Sequence, residues 1–128
     1  MCRRGFSDMQ DVLRSTQAEN IHLYIVWLPI LRTDDRDSAI ERTKEFADPR
    51  VTYYWDDASL TGKAWQRVLN LEGAAWDVYF LYPAQSGNWS EKPDAPPFWM
   101  HQLREVKHAP FLNKDEFKLK ALRLLKQE

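Results

Sequence analysis

The side chain with the clearest chemical potential is the only cysteine, Cys2, in the opening stretch "MCRRGFSDMQ". It stands at the head of a segment with helical periodicity, and Arg3 and Arg4 follow it. A helix N-terminus and neighbouring cations both favour the thiolate, which is the reactive form of cysteine. The alternative is an unpartnered cysteine without a role, since one thiol cannot perform dithiol exchange within its own chain. Cys2 is therefore the candidate catalytic residue, with both interpretations open.

The three histidines do not form a metal site by their spacing. They are His22, His101 and His108. A zinc or copper site needs about three or four ligands, and Cys2 with one histidine supplies at most two. His101 stands in a β-prone segment, so we expect a hydrogen-bonded structural histidine there. We predict no metal and no cofactor.

Two acidic clusters have a catalytic and a structural interpretation. Asp56 and Asp57 follow a β-prone run, where a carboxylate pair could serve acid–base chemistry. The same residue types make a good turn and helix cap, which is the interpretation we favour. The run 34–37, "DDRD", lacks the spacing of an EF-hand calcium loop and fits the entry to a helix.

Six tryptophans are many for this length, and several fall at the ends of β-prone runs. Four of them, with one neighbouring aspartate, are the candidate binding or interface residues: Trp27, Trp55, Trp76, Asp77 and Trp99. Tryptophan favours both aromatic pockets and protein interfaces. The alternative is that these large side chains fill a core. Only an interface predicts an aromatic patch that stays exposed in the isolated monomer.

Composition limits the class of protein. The chain has 128 residues, of which 44% are hydrophobic, so we expect one domain, residues 1–128. A net charge of −1 gives no basic footprint for nucleic acid. The longest apolar stretch, Leu23–Leu31, is too short for a bilayer and contains Pro29. A single cysteine, with no apolar leader after Arg3 and Arg4, predicts a cytoplasmic location.

The hydrophobic pattern predicts four helices and four strands in the order α β α β α β β α. The predicted elements are a helix over 5–18, a strand Ile21–Trp27, a helix from a capping box at Ser38 to Pro49, a strand Val51–Trp55, a helix that carries Leu60, Ala64, Trp65, Val68 and Leu69 and stops near Gly73, a strand Trp76–Tyr82, a strand Phe98–Leu103 and a helix over 113–128. Strands separated by helices favour parallel pairing, whereas the last two, joined by a turn, should be antiparallel. The sequence therefore predicts a mixed α/β sheet.

Three segments carry a resemblance to a known family. "CRRGFSDMQDVL" resembles the second half of a C-x-x-C redox motif and the helix it opens. "VTYYWDDASLTGKAWQRVLNL" and "GAAWDVYFLYPAQSGNW" resemble later strand–turn–helix and strand–turn segments of the thioredoxin-like superfamily, in its alkyl-hydroperoxide-reductase and thiol-specific-antioxidant branch. The resemblance implies a thioredoxin-like mixed sheet of about four strands flanked by helices, with the first strand of the fold missing.

Two departures from that family shape the expected function. Without the first strand, Ile21–Trp27 and Trp76–Tyr82 must pair directly or accept a strand from elsewhere. The family's cis-proline position falls at 75–77, "AWD", which holds no proline. We therefore expect a non-catalytic binding or dimerisation module whose partner is a second copy of the chain or another protein. The alternative is a thiol–disulfide oxidoreductase seen as a truncated chain.

Overall fold

The computed structural model describes residues 3–29, 35–84 and 92–126. Its elements are α1 (Arg3–Arg14), β1 (Leu23–Trp27), α2 (Arg36–Thr43), β2 (Val51–Trp55), α3 (Leu60–Leu69), β3 (Val78–Leu81), β4 (Phe98–His101) and α4 (Lys114–Lys126). The predicted order of helices and strands, and the mixed α/β class, are confirmed.

Helix α1 is amphipathic, as its spacing predicts, and buries Phe6, Met9, Val12 and Leu13. It ends at Arg14, four residues before the predicted end. Beyond it, the hydroxyl of Thr16 donates to the carbonyl of Val12 at 2.8 Å. A side-chain donor thus satisfies one of the carbonyls that a helix end leaves unpaired.

Helix α2 starts earlier than predicted. Asp35 is its N-cap, and the Asp35 carboxylate accepts from the backbone N–H of Ser38 at 2.7 Å. The predicted capping box at Ser38 is therefore wrong, because an aspartate three residues upstream takes that role. The interpretation of the acidic run as a helix entry is confirmed for Asp35.

The strands form two separate pairs. β1 and β2 are parallel, with Leu23 opposite Val51 and Trp27 opposite Trp55. β3 and β4 are antiparallel, with Val78 opposite His101, as predicted for the last two strands.

The single four-stranded sheet is where the prediction differs from the structure. In the described residues the strands form two two-stranded sheets, β1–β2 and β3–β4, and β1 is not hydrogen-bonded to β3. Direct pairing of Ile21–Trp27 with Trp76–Tyr82 is thus not what the structure shows. The two sheets are instead joined through helix α1, which contributes to both hydrophobic clusters.

The helices cover the two sheets unequally. α1 and α4 lie together over the β3–β4 face that carries Met100, and Lys114 of α4 pairs with Asp11 of α1 at 2.9 Å. α3 covers the opposite face, where Trp65 stacks on Phe80 with ring centroids 5.6 Å apart. On β1–β2, the side chains opposite α1 remain exposed.

Candidate binding site between the two sheets

Helix α1 spans the boundary between the sheets. The ring of Phe6 lies 5.2 Å from that of Trp27, at the end of β1. A Cβ added at the adjacent Gly5 would overlap the hydroxyl of Tyr79 in β3. Two consecutive residues of α1 therefore contact different sheets. Two strands that flank a third lie roughly 9.6 Å apart, and a helix is about 10 Å across. One helix is therefore wide enough to contact both flanking strands.

The contacts along α1 give the direction of β1. Phe6, near the start of α1, meets Trp27, the last residue of β1. At the other end of the helix, Arg50 donates to the carbonyl of Leu13 at 2.9 Å, and the Arg50 carbonyl accepts from the N–H of Leu23. β1 therefore runs opposite to α1.

Helix α1 also lies against β3. Gly5 lies against Tyr79, near the start of β3. Met9 and Val12, further along α1, share a hydrophobic cluster with both Tyr79 and Leu81. β1 and β3 therefore both pack on α1.

The hydrogen bonds of β1 identify the backbone groups at its other edge. The N–H of Leu23 donates to Arg50 and the carbonyl of Trp27 accepts from Asp56, both on the β2 side at 2.9 Å. Backbone groups alternate in direction along a strand. Those of Tyr24 and Val26 therefore point away from β2, towards the β3 side.

β3 presents a matching edge. The N–H of Gln102 donates to the carbonyl of Asp77 at 3.1 Å, which makes that pair a hydrogen-bonded one. Hydrogen-bonded and non-hydrogen-bonded pairs alternate along antiparallel strands. The backbone groups of Val78 and Phe80 therefore point away from β4. We call the space between the β1 edge at Tyr24 and Val26 and the β3 edge at Val78 and Phe80 the inter-sheet gap.

One buried donor at the end of β1 has no acceptor. The indole N–H of Trp27 is buried, and within the described part of the chain it makes no hydrogen bond. An unpaired buried donor costs roughly 1–3 kcal/mol, so native structures rarely keep one. At the end of β1, therefore, the described residues supply no polar partner for this donor.

The face of β1–β2 opposite α1 is aromatic and open to solvent. Tyr24 is 63% exposed and Tyr54 is 53% exposed, and their rings stack with centroids 6.5 Å apart. His22 continues the row at 4.5 Å from the Tyr24 ring and bonds the Thr52 hydroxyl at 2.8 Å. We call Tyr24, Val26 and Tyr54 the open face.

The structure divides the predicted site residues that it describes among three places. Trp27 and Trp55 are neighbours at the ends of β1 and β2. Trp76 and Asp77 immediately precede β3, whose beginning lies by the start of α1. Trp99 lies elsewhere, between the rings of His101 and His108 at 5.7 and 5.9 Å. Cys2 lies outside the described residues.

Asp77 has an unusual backbone for its position. Its φ is 55°, in the left-handed region that aspartate tolerates better than most residues. Its carboxylate accepts from the hydroxyl of Tyr79 at 2.5 Å, and its carbonyl accepts from Gln102. The aspartate at the predicted cis-proline position thus holds the start of β3 through two hydrogen bonds.

The tryptophans of the site are half-buried and do not form the exposed aromatic patch that an interface predicts. That patch is the open face, which the sequence-based reasoning missed. The signal was the alternation of "HLYIVW": every second residue of β1 faces α1, and the residues between do not. A run this apolar is typical of a strand buried on both faces, but Tyr24 and Val26 are both exposed.

Asp56 has the capping role that we favoured over acid–base chemistry. Its carboxylate accepts from both the N–H and the hydroxyl of Thr61, at 2.7 and 2.6 Å. Burial opposes ionisation, but the hydrogen bonds from Thr61 and Leu60 outweigh it and lower the pKa of Asp56. An ionised carboxylate thus fixes the first turn of α3.

Arg50 holds α1 to the β1–β2 sheet, and no sequence pattern pointed to it. Its guanidinium donates to the carbonyls of Leu13 and Thr16 and forms an ion pair with Asp48 at 2.9 Å. The hydrogen bond from Arg50 lowers the pKa of Asp48. The cation is well placed for carbonyls at a helix C-terminus.

His101 is a structural histidine, as predicted. It is 1% exposed, and its Nδ1 accepts from the N–H of Leu103 at 2.9 Å. The proton therefore sits on Nε2, which donates to the carbonyl of Ala109 at 2.9 Å. Among the described residues, no three histidine, cysteine or acidic side chains are placed to bind a metal ion.

No protein-family model matches this sequence, and comparisons with curated proteins and with solved structures find no match. Of the helices in the described ranges, none has both the length and the apolar character needed to cross a bilayer.

Proposed function

We propose that the chain is a non-catalytic, thioredoxin-like binding domain that takes an extended strand into its inter-sheet gap. The observation that supports this most is the division of the strands into two sheets under one helix. Unpaired strand edges are templates for another strand, and proteins use them for β-strand addition.

The thioredoxin-like part of the proposal is supported by the arrangement around the gap. A parallel pair lies on one side and an antiparallel pair on the other, and β1 and β3 are not hydrogen-bonded to each other. This is the arrangement expected if the first strand of the fold is missing between them. α1 and α4 on one side and α3 on the other are consistent with it.

The non-catalytic part is supported by the residues around the start of α1. The sequence has one cysteine, so the chain holds no dithiol of its own. The resemblance puts the family's cis-proline within 75–77, where there is no proline, and the Asp77 carboxylate in this segment accepts from the hydroxyl of Tyr79. Among the described residues beside the start of the helix, these groups hold the fold together and none is a thiol.

A peptide titration tests the proposal. The probe is a soluble peptide of about ten residues with a central Val/Ile run, and the readout is calorimetric binding to the full chain. We expect Val26→Pro to weaken binding at least about tenfold, because proline removes the N–H that points into the gap but no N–H that pairs with β2. Val26→Thr is the matched control and should bind normally. Equal binding by Val26→Pro and the parent chain would refute strand addition at this edge.

A thiol–disulfide oxidoreductase is the second candidate. It is favoured by one observation: α1, which directly follows Cys2, begins beside Tyr79 and the Asp77 position. In that case the Cys2 thiolate should form well below the free-cysteine pKa of about 8.5. Alkylation rates measured against pH decide this, and a normal or raised value would exclude a catalytic Cys2.

A further inference from the structure

The side chains that flank the inter-sheet gap restrict what can enter it. On the side facing α1, the flanking residues are Leu23 and Ile25 of β1 and Tyr79 and Leu81 of β3. On the opposite side they are Tyr24 and Val26 of β1 and Val78 and Phe80 of β3. All eight are apolar or aromatic, and none is charged.

We infer that the occupant of the gap is an uncharged segment of another polypeptide, about five residues long and apolar on both faces. This inference rests on the proposed function. Its length follows from the edges it must pair with, which are five residues in β1 and four in β3. A strand buried between neighbours on both faces has a continuous apolar run, unlike an edge strand, whose apolar residues alternate with polar ones.

The other occupant to consider is a second copy of this chain. In the described ranges every strand already pairs with a neighbour, so the described part of a second copy has no spare strand to insert. Pairing of β1 with β1 of a second copy would satisfy the backbone groups at the Tyr24 edge and leave those at the Phe80 edge unpaired. A single inserted strand pairs with both edges, because β1 and β3 lie on its two sides.

The two faces of the occupant have different neighbours. Facing α1, its side chains would join the clusters that contain Met9 and Phe6. On the other face, they would lie between Val26 and Phe80, the latter already under the Trp65 ring. Cross-strand pairs of apolar and aromatic residues stabilise sheets, so both faces select against charge.

The test compares two peptides on the full chain by calorimetry. One has a central run of Val and Ile; the other alternates Val with Lys at the same length. A register shift of one residue moves the lysines of the alternating peptide to the opposite face of the gap. The peptide will adopt the register in which its lysines are better tolerated, so its measured affinity refers to that face. We expect it to bind at least about tenfold more weakly than the apolar peptide. Equal affinity would overturn the requirement for two apolar faces while leaving strand addition intact.

A pair of chain variants locates the effect. Val26→Lys places a charge beside the gap, and Tyr54→Lys places one on the same face but one strand further away. We expect Val26→Lys to lower the affinity for the apolar peptide at least about tenfold and Tyr54→Lys to change it less than about twofold.

If neither peptide binds the parent chain, the proposed function itself fails. If the chain is a stable dimer by light scattering and the apolar peptide does not dissociate it, the occupant is a second copy and the inference is wrong.

Discussion

The two sheets of this molecule are covered to very different degrees. β3–β4 has α1 and α4 on one face and α3 on the other, and it holds Met100 and His101, the largest fully buried side chains of the described core. β1–β2 contacts α1 and α2, while Tyr24 and Tyr54 on its open face remain more than half exposed. β3–β4 is thus packed by helices on both faces, whereas β1–β2 has one face open to solvent.

The difference shows which sheet is better covered and which face is available for binding. Burial of apolar side chains on both faces stabilises β3–β4. β1–β2 depends on α1 and on the Arg50 contacts that tie it to the helix end. Substitutions should therefore lower the free energy of unfolding most in β3–β4 and least on the open face.

The largest effect is expected at His101. His101→Ala leaves the Leu103 N–H and the Ala109 carbonyl without their partner and opens a cavity, so we expect a loss of about 3 kcal/mol in unfolding free energy. Urea denaturation measures it. His22→Ala, on the exposed sheet, is the matched control and should cost less than about 0.5 kcal/mol. Similar losses of unfolding free energy at both positions would contradict the difference between the two sheets.

The next effect concerns the attachment of β1–β2 to α1. Arg50→Ala removes the donors to the carbonyls of Leu13 and Thr16, and we expect a loss of about 2 kcal/mol. Arg42→Ala removes only a surface ion pair with Glu45 and should cost less than about 1 kcal/mol. If the two variants unfold at the same urea concentration, Arg50 is not the attachment point.

A smaller loss of stability is expected where α1 contacts β3–β4. Gly5→Ala places a methyl group against the Tyr79 hydroxyl and displaces it from Asp77, at a cost of about 1 kcal/mol. Removing that hydroxyl with Tyr79→Phe should make the Gly5→Ala change less costly. A double-mutant cycle with no coupling between the positions would contradict the contact.

The Asp56 carboxylate gives a pH dependence. Because its pKa is lowered in the folded chain, ionised Asp56 stabilises the fold above the unfolded-state pKa of about 3.9. That stability is lost as the pH falls through the lower folded value. Asp56→Asn should therefore flatten the fall in unfolding free energy between about pH 4 and pH 2. Asp57→Asn is the control, and an equal change in slope there would show that the cap does not matter.

The smallest stability effect is expected on the open face. Tyr24→Ser should change the unfolding free energy by less than about 0.5 kcal/mol, because the side chain is 63% exposed. It should nonetheless lower any concentration-dependent association seen by light scattering, since exposed aromatic patches promote contact. A large loss of stability would mean that the face is covered in solution.

Much of this molecule follows from local patterns in its sequence. The helical spacing of Phe6, Met9 and Leu13 predicts α1, and the turn between β3 and β4 predicts their antiparallel pairing. The role of Asp56 follows from its place between a strand and a helix.

The remainder depends on contacts between distant parts of the chain. Arg50 reaches the carbonyls of α1 across more than thirty residues, which no short-range pattern encodes. The open face depends on which side of β1 the helix α1 covers. The resemblance left two outcomes for β1 and β3, direct pairing or a gap between them. The choice depends on β1 and β3 packing on the same helix without pairing with each other, which is visible only in three dimensions.

The central claim is that β1 and β3 each have an edge that no strand of the described chain covers. Amide hydrogen exchange measured by NMR on the free chain tests it most directly. We expect the amides of Tyr24, Val26, Val78 and Phe80 to exchange much faster than that of Leu23, which donates to β2-side Arg50. Fast exchange confined to those four amides supports the account. Protection of all four equal to that of Leu23 would contradict it, because their N–H groups would then already be paired.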